Sequence, residues 1–348
     1  MKISIGKKTD VGCVREANED SFYVELPEEG APKGGAPQRG AEAPQGGPPQ
    51  RGTSQGVAAS GNRYVLLIVA DGMGGQVAGK EASETAVEVV KALFAAKAKT
   101  GKPLKDIKRF LVDAFREANK AVFKKGEAKA VNMGTTLTMA FIDNHNAFIG
   151  HVGDSRTYHI RGREIRQVTE DHSLAEDMVK KGKATREEVK TSPMRSMLTR
   201  SIGTKKEVAV DDPIGIELED GDCLVLCTDG LTNLVEDQEI LSAVHNTTDL
   251  QKACNKLVDM ARKRGGHDNI TIVAAEFGAL ERINGLGIKA KTVLMKSKKG
   301  DKKRMILFAA IGLLAAIFVL LALLLVSHYS GQDRFYKTPS TEGGTSSQ

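Results

Sequence analysis

Between Ser21 and Phe277 the chain is cut into short runs, each apolar throughout or apolar at every second position, and most are closed by glycine or another turn former. Runs of about four to eight residues with this pattern mark β-strands, because successive side chains point to opposite faces of a sheet. They are SFYVEL (21–26), YVLLIVA (64–70), Thr135–Ile142 with Leu137, Met139 and Phe141 on one face, Ala147–Val152, Thr157–Ile160, Glu164–Val168, Leu224–Thr228 and Ile270–Phe277. Short turns between them imply antiparallel pairing, since parallel strands need long crossovers. Two longer stretches carry helical spacing instead: Ala78–Lys99, with Ala82, Ala86, Val89, Val90 and Leu93, and Leu104–Lys125, with Ile107, Leu111, Phe115, Ala118 and Val122. Pro103 is placed to start the second helix. Two strand clusters with helices between them predict an α+β fold in which two stacked antiparallel β-sheets are flanked by helices, a four-layer αββα sandwich.

Three segments depart from this pattern. Residues 27–62 hold nine Gly and six Pro in 36 positions and almost no apolar residue except alanine. Such a stretch buries too little surface to offset its ordering entropy, and it is expected to be a disordered insert between two strands. Residues 174–203 are polar and Lys-rich, with a capping-box pattern of Thr185 and Glu188, and are expected to form a mobile helical flap. Residues 305–326 are 22 consecutive residues without a charge, close to the ~20 that cross a hydrocarbon core.

The formal net charge of the 348 residues is +6, but residues 289–304 alone carry eight Lys or Arg against Asp301. A nucleic-acid binder carries its basic surface on the folded domain. Basic charge confined beside an apolar run points to lipid head groups, and no nucleic-acid partner is expected. By the positive-inside rule, residues 1–304 face the cytoplasm and the neutral polar tail 328–348 lies outside. The expected organisation is a domain over 1–282, a basic linker over 283–304, a transmembrane helix over 305–327 and a short tail, placing the protein in the cell membrane as a single-pass chain with membrane lipid contacts through 289–327. MKISIGKKTD at the start has no apolar stretch long enough for a signal peptide. The four cysteines, Cys13, Cys223, Cys227 and Cys254, form no CxxC pair and no zinc spacing, so a reduced compartment fits and a zinc site does not.

Acidic residues stand at strand ends beside turn formers: Asp20 in REANEDSF, Asp71 in VADGMGG, Asp154 in HVGDSR, Asp229 in LCTDGL and Asp268 in GHDNIT. One such Asp is a turn residue. Five at corresponding ends would repel one another in a folded protein unless a cation neutralised them. Oxygen-only ligands suit Mg²⁺ or Mn²⁺ and not zinc or copper. Two such ions about 3.5–4 Å apart can activate a bridging water for phosphate-ester hydrolysis. Arg15, five residues before Asp20, is the candidate for gripping the phosphoryl oxygens with its planar fork.

The strings TDVGCVREANEDSF, VADGMGGQVAGKEAS, MGTTLT, HVGDSR, TEDHS, LTRSIG, LCTDGL and GHDNIT, in that order from about Thr9 to Phe277, resemble the motif series of the type-2C, metal-dependent serine/threonine protein phosphatases. The resemblance implies hydrolysis of phosphoserine and phosphothreonine in proteins, opposing a serine/threonine kinase. It implies metals bound between two stacked sheets: two Mn²⁺ or Mg²⁺ ions, with room for a weaker third. It assigns Arg15 to the substrate phosphate, and Asp71 to both metals with the Gly72 carbonyl as a further ligand. Asp229 and Asp268 would complete one metal, Glu19 and Asp20 would reach the other partly through water, and Asp154 with Asp229 would hold the third. Thr135 and Thr136 are expected to pack beneath the site, and His172 to be structural. Two departures stand out. Met73 occupies the place where animal members carry a histidine proposed as general acid, and Asn233 the place where they carry an aspartate. A membrane-tethered pseudo-enzyme that recognises phosphoprotein or nucleotide without turnover would be expected to lack a ligand aspartate, and none is missing. The series resembles broad protein phosphatases more closely than the branch that antagonises anti-sigma factors.

Overall fold

A computed structural model describes residues 2–26, 64–99, 106–190 and 192–278, all in the unit Met1–Leu286. The insert 27–62, the basic linker 283–304, the apolar run 305–327 and the tail 328–348 lie outside the described residues. Among the described residues, no helix is long and apolar enough to cross a membrane.

In chain order the strands begin with β1 (Ile3–Asp10), β2 (Ser21–Glu25), β3 (Val65–Ala70), β4 (Gly72–Met73), β5 (Gly134–Thr135) and β6 (Leu137–Asp143). They continue with β7 (Asn146–Val152), β8 (Arg156–Arg161), β9 (Glu164–Gln167), β10 (Ile214–Glu217), β11 (Cys223–Cys227) and β12 (Ile270–Phe277). The helices are α1 (Gln76–Lys99), α2 (Ile107–Lys129), α3 (Leu174–Lys180), α4 (Arg186–Lys190), α5 (Asp229–Thr232), α6 (Asp237–His245) and α7 (Leu250–Lys263). One five-stranded sheet runs β1-β12-β11-β8-β9 and the other β10-β7-β6-β3-β2, with β4 and β5 forming a small separate ladder.

Strand alternation sorts the core into three apolar layers. On β3, Val65, Leu67 and Val69 face the other sheet, where they meet Leu224 and Leu226 of β11 and Val273, Ala275 and Phe277 of β12. Leu66, Ile68 and Ala70 face the opposite way, onto Ala82, Ala86 and Val90 of α1 and Leu111, Phe115 and Val122 of α2. The outer face of the other sheet, with Val225 and Ile272, is covered by Ile240 of α6 and Leu257 and Val258 of α7. Strands covered on both faces read as continuous apolar runs, and each fully buried Leu, Ile or Phe contributes about 1.5–3 kcal/mol relative to exposure. This is the αββα sandwich expected.

Local differences have local causes. Helix α2 begins at Ile107, not Leu104, because Asp106 caps it by accepting the Arg109 N–H at 3.0 Å. The expected strand Thr135–Ile142 divides at Thr136: Gly134 and Thr135 pair with Met73 and Gly72, whereas Leu137–Asp143 pairs with β3 and β7. Strands β1 and β10 and helices α5, α6 and α7 add to the elements read from periodicity. Within 174–203 the chain forms α3, α4 and a 3₁₀ turn over Pro193–Ser196. Thr185 and Glu188 exchange capping hydrogen bonds there, Thr185 N–H to Glu188 Oε2 at 2.7 Å and Glu188 N–H to Thr185 Oγ1 at 3.3 Å.

Candidate metal centre

Strand register brings the acids together. Ser21 pairs with Ala70, so Asp20 and Asp71 flank the same rung where β2 begins and β3 ends. Leu137 pairs with Val152, which puts Thr136 beside the Gly153-Asp154 turn. In the other sheet Cys227 pairs with Ile272 and Asp10 with Ile270, so Asp229, Asp268 and the loop carrying Arg15 share one end. Arg15, Glu19, Asp71, Gly72, Asp154, Asp229 and Asp268 all line one cleft of about 760 Å³. Asp20 does not line it; its carboxylate sits beneath, accepting the Thr228 hydroxyl at 3.0 Å.

The floor is braced by backbone-directed hydrogen bonds. Thr136 Oγ1 accepts the Asp71 N–H at 2.8 Å, and Thr135 Oγ1 donates to the Asp71 carbonyl at 2.8 Å, so both threonines hold Asp71 from below. A Cβ on Gly72 would overlap the Gly79 carbonyl, and one on Gly79 would overlap Glu19 Oε2. Two side-chain-free positions therefore let α1, Glu19 and the Asp71-Gly72 turn approach closely. Asn269, which motif reading passed over, staples the Arg15 loop: its Nδ2 donates to the Val11 and Ala17 carbonyls, both at 3.0 Å, and its Oδ1 accepts the Glu19 N–H at 2.8 Å. Ser83 and Lys80 of α1 donate to the Glu19 and Asp20 carbonyls. His172 is buried and works structurally, with Nδ1 accepting the Gly153 N–H at 3.2 Å and Nε2 3.1 Å from Asp211.

Electrostatically the cleft is a concentration of negative charge. Burial, then the fields of Asp229 and Asp268, push the Asp20 carboxyl up from 3.8 to about 7, although Thr271 and Thr228 oppose the rise. Asp71 is raised well above the carboxylate range by burial and by Asp20, Asp229, Asp154 and Asp268. Asp154 is raised by burial and Asp229, and Asp229 by burial and Asp268. Glu19 is raised by burial, with Arg15 opposing. Arg15 Nη2 donates to Asp268 Oδ2 at 2.8 Å from the rim, half exposed.

These side chains fit hard divalent cations. Asp20 Oδ1 is buried with no hydrogen-bond partner among the described residues, and the converging carboxylates have too few cationic neighbours to balance them. Oxygen donors dominate, and no cysteine lines the cleft. No three Asp, Glu, His or Cys side chains among the described residues are grouped tightly enough to hold an ion as they stand. Asp268 turns to Arg15, Asp229 accepts the Asn233 amide at 2.9 Å and Asp20 accepts Thr228, so ligation requires rotations of these carboxylates.

Known proteins share the sequence pattern and the fold. The family pattern described as Protein phosphatase 2C matches residues 39–269. Protein phosphatase PhpP of Streptococcus pneumoniae is 38% identical over 219 residues, covering 61% of this chain and 87% of that protein. A Streptococcus agalactiae serine/threonine phosphatase structure superposes with a TM-score of 0.65 at 30% identity, covering 79% of this chain and 100% of that one. The catalytic domain of the serine/threonine protein phosphatase PstP, solved with two manganese ions, superposes with a TM-score of 0.60 at 28% identity, covering 80% and 99%.

Proposed function

The chain belongs to the protein phosphatase 2C family and is a metal-dependent serine/threonine protein phosphatase, and we propose that it works at the cytoplasmic face of a membrane, opposing a serine/threonine kinase. Glu19, Asp20, Asp71, the Gly72 carbonyl, Asp229 and Asp268 are the groups we assign to two Mn²⁺ or Mg²⁺ ions, and Asp154 with Asp229 to a weaker third. The PstP structure with two manganese ions supports the number and type. Bound there, such ions supply Lewis acidity toward the phosphoryl oxygens and a water nucleophile at neutral pH.

The chain's own groups do the rest. Thr135 and Thr136 fix the Asp71 backbone, which limits how far its carboxylate can wander between turnovers. Asn269 holds the Val11–Glu19 loop, and so sets where the Arg15 guanidinium stands. At the rim, that planar fork presents its remaining N–H donors to two oxygens of an incoming phosphoryl group. Met73 has no proton to give, so it does not serve the departing serine or threonine oxygen as general acid.

The observation that carries this reading is the convergence of Asp71, Asp154, Asp229 and Asp268, from four separate stretches of chain, on one cleft with Arg15 at its rim. The experiment is hydrolysis of a phosphothreonine peptide by the full chain, with Mn²⁺ and then with a chelator. Turnover that stops on chelation is expected; turnover indifferent to chelator refutes it. The membrane placement rests on the sequence of residues 289–327. Removing residues 305–348 should move the protein from the membrane to the soluble fraction with unchanged peptide turnover, and a membrane-bound truncated chain would overturn the anchor. Tethering raises the local concentration of membrane-attached substrates without new contacts.

A further inference from the structure

Ser201, Thr204 and Lys205 line the acidic cleft, making the loop between β9 and β10 one of its walls. The near end of this loop is tied to the floor by two backbone bonds, Thr135 N–H to the Ile202 carbonyl at 2.9 Å and Ile202 N–H to the Thr135 carbonyl at 2.8 Å. The far end, residues 203–207, is neither strand nor helix. A local hydroxyl pair, Ser201 Oγ with Thr204 Oγ1 at 2.8 Å, braces its start, and one side chain from outside the loop ties it to α2. Asn119, 2% exposed on the inner face of α2, accepts the Gly203 N–H through Oδ1 at 2.7 Å and donates through Nδ2 to the Lys205 and Lys206 carbonyls, both at 3.1 Å. Gly203, at φ +88°, lies flush on α2, where any Cβ would overlap Val122. On the far side of this ridge Lys206, Glu207 and Val208 face a second cavity of about 590 Å³ along α2, which Asn119 also lines.

A carboxamide buried among Phe115, Ala118 and Val122 is unfavourable unless its hydrogen bonds are made, and these three all go to a loop 84 to 87 residues away. We propose that Asn119 is a positioning residue that sets the Thr204–Lys206 ridge as a docking wall for the polypeptide around the phosphorylated residue, with Lys205 meeting acidic side chains beside it. The ridge thereby favours protein-borne phosphate over small phosphate esters. This rests on the acidic cleft being the catalytic site. A small aryl phosphate reaches only the floor, which the Thr135–Ile202 pairing holds without Asn119. A phosphopeptide must also lie along the wall.

The test compares kcat and KM of the Mn²⁺-loaded full chain for an acidic-flanked phosphothreonine peptide and for p-nitrophenyl phosphate. Asn119→Ala should raise the peptide KM about tenfold and change kcat for either substrate, and KM for the aryl phosphate, by no more than about twofold. Amide hydrogen exchange at residues 203–206 should quicken in the same variant. A purely structural Asn119 would instead depress both substrates together, and that result, or no change in either, overturns the proposal. Should Asn119→Ala not fold, the exposed Lys205→Ala decides: its peptide KM should rise more for acidic than for neutral flanks, and an equal KM for both overturns the proposal. Absence of aryl phosphate turnover in the unaltered chain would sink the catalytic reading and this inference together. Normal turnover with an unchanged substrate ratio in the variants would sink the inference alone.

Discussion

In metal-free protein the acidic cleft should make the fold less stable as pH rises, and Asp20 offers the cleanest way to see it. Its carboxyl is 3% exposed and is pushed from 3.8 to about 7, chiefly by burial. Between those two values the folded chain keeps a proton that the unfolded chain has released. Stability from this group is thus complete below the unfolded value and is lost as pH rises through about 7. About three pH units correspond to about 4 kcal/mol as an upper bound, and relaxation with water entry reduces this to about 2 kcal/mol. About two of those three units lie above pH 5, so for a unit of this size the fall in Tm between pH 5 and pH 8 is about 3–5 °C. Asp71, Asp154 and Asp229 are raised too and act in the same direction. Thermal unfolding of the full chain in chelator, followed by circular dichroism from pH 5 to pH 8, reads the slope. Asp20→Asn keeps an acceptor for the Thr228 hydroxyl and should flatten the slope, and Mn²⁺ at pH 8 should restore the lost Tm. A metal-free Tm that climbs over this range, or an Asp20→Asn slope as steep as the parent's, refutes the reasoning.

Other perturbations follow from the same geometry. Arg15→Lys keeps the charge but loses the two-pronged fork, and kcat/KM for a phosphopeptide should fall by about tenfold or more while Tm changes little. Asn233→Asp adds a carboxylate beside Asp229, which should lower the Mn²⁺ concentration for half-maximal activity and also lower the metal-free Tm; an unchanged metal requirement counts against a cation at Asp154 and Asp229. Gly150→Ala would set a methyl about 2.5 Å from Phe115 Cε2, in the seam between β7 and α2, and should cost about 1–3 kcal/mol in denaturant unfolding.

What could be read from the sequence depended on whether a residue's role is set locally. Strands β3, β11 and β12 are buried on both faces and appear as unbroken apolar runs, so they are legible without tertiary information. Strand β1 is an edge strand in which only Ile3 and Ile5 pack on the core between polar neighbours, and β10 is four residues with Gly215 and Glu217 among them. Neither carries enough periodicity to stand out. Helix α7 does carry it, in Leu250, Ala253, Cys254, Leu257, Val258 and Ala261, and its signal was available. The acids were legible because each stands beside a turn at a strand end, where function and punctuation coincide. Asn269 and Asn119 were not, because their partners lie as far as 258 and 87 residues away and only the folded chain brings them within reach.

The central claim is that acidic side chains from distant segments close around a pair of hard divalent ions. Anomalous diffraction from crystals grown with saturating Mn²⁺ tests it directly. Two manganese peaks in the cleft are predicted, both touching Asp71, one completed by Asp229 and Asp268 and the other approached by Glu19. A cleft without manganese at saturation, or peaks that Asp71 does not share, would contradict the account.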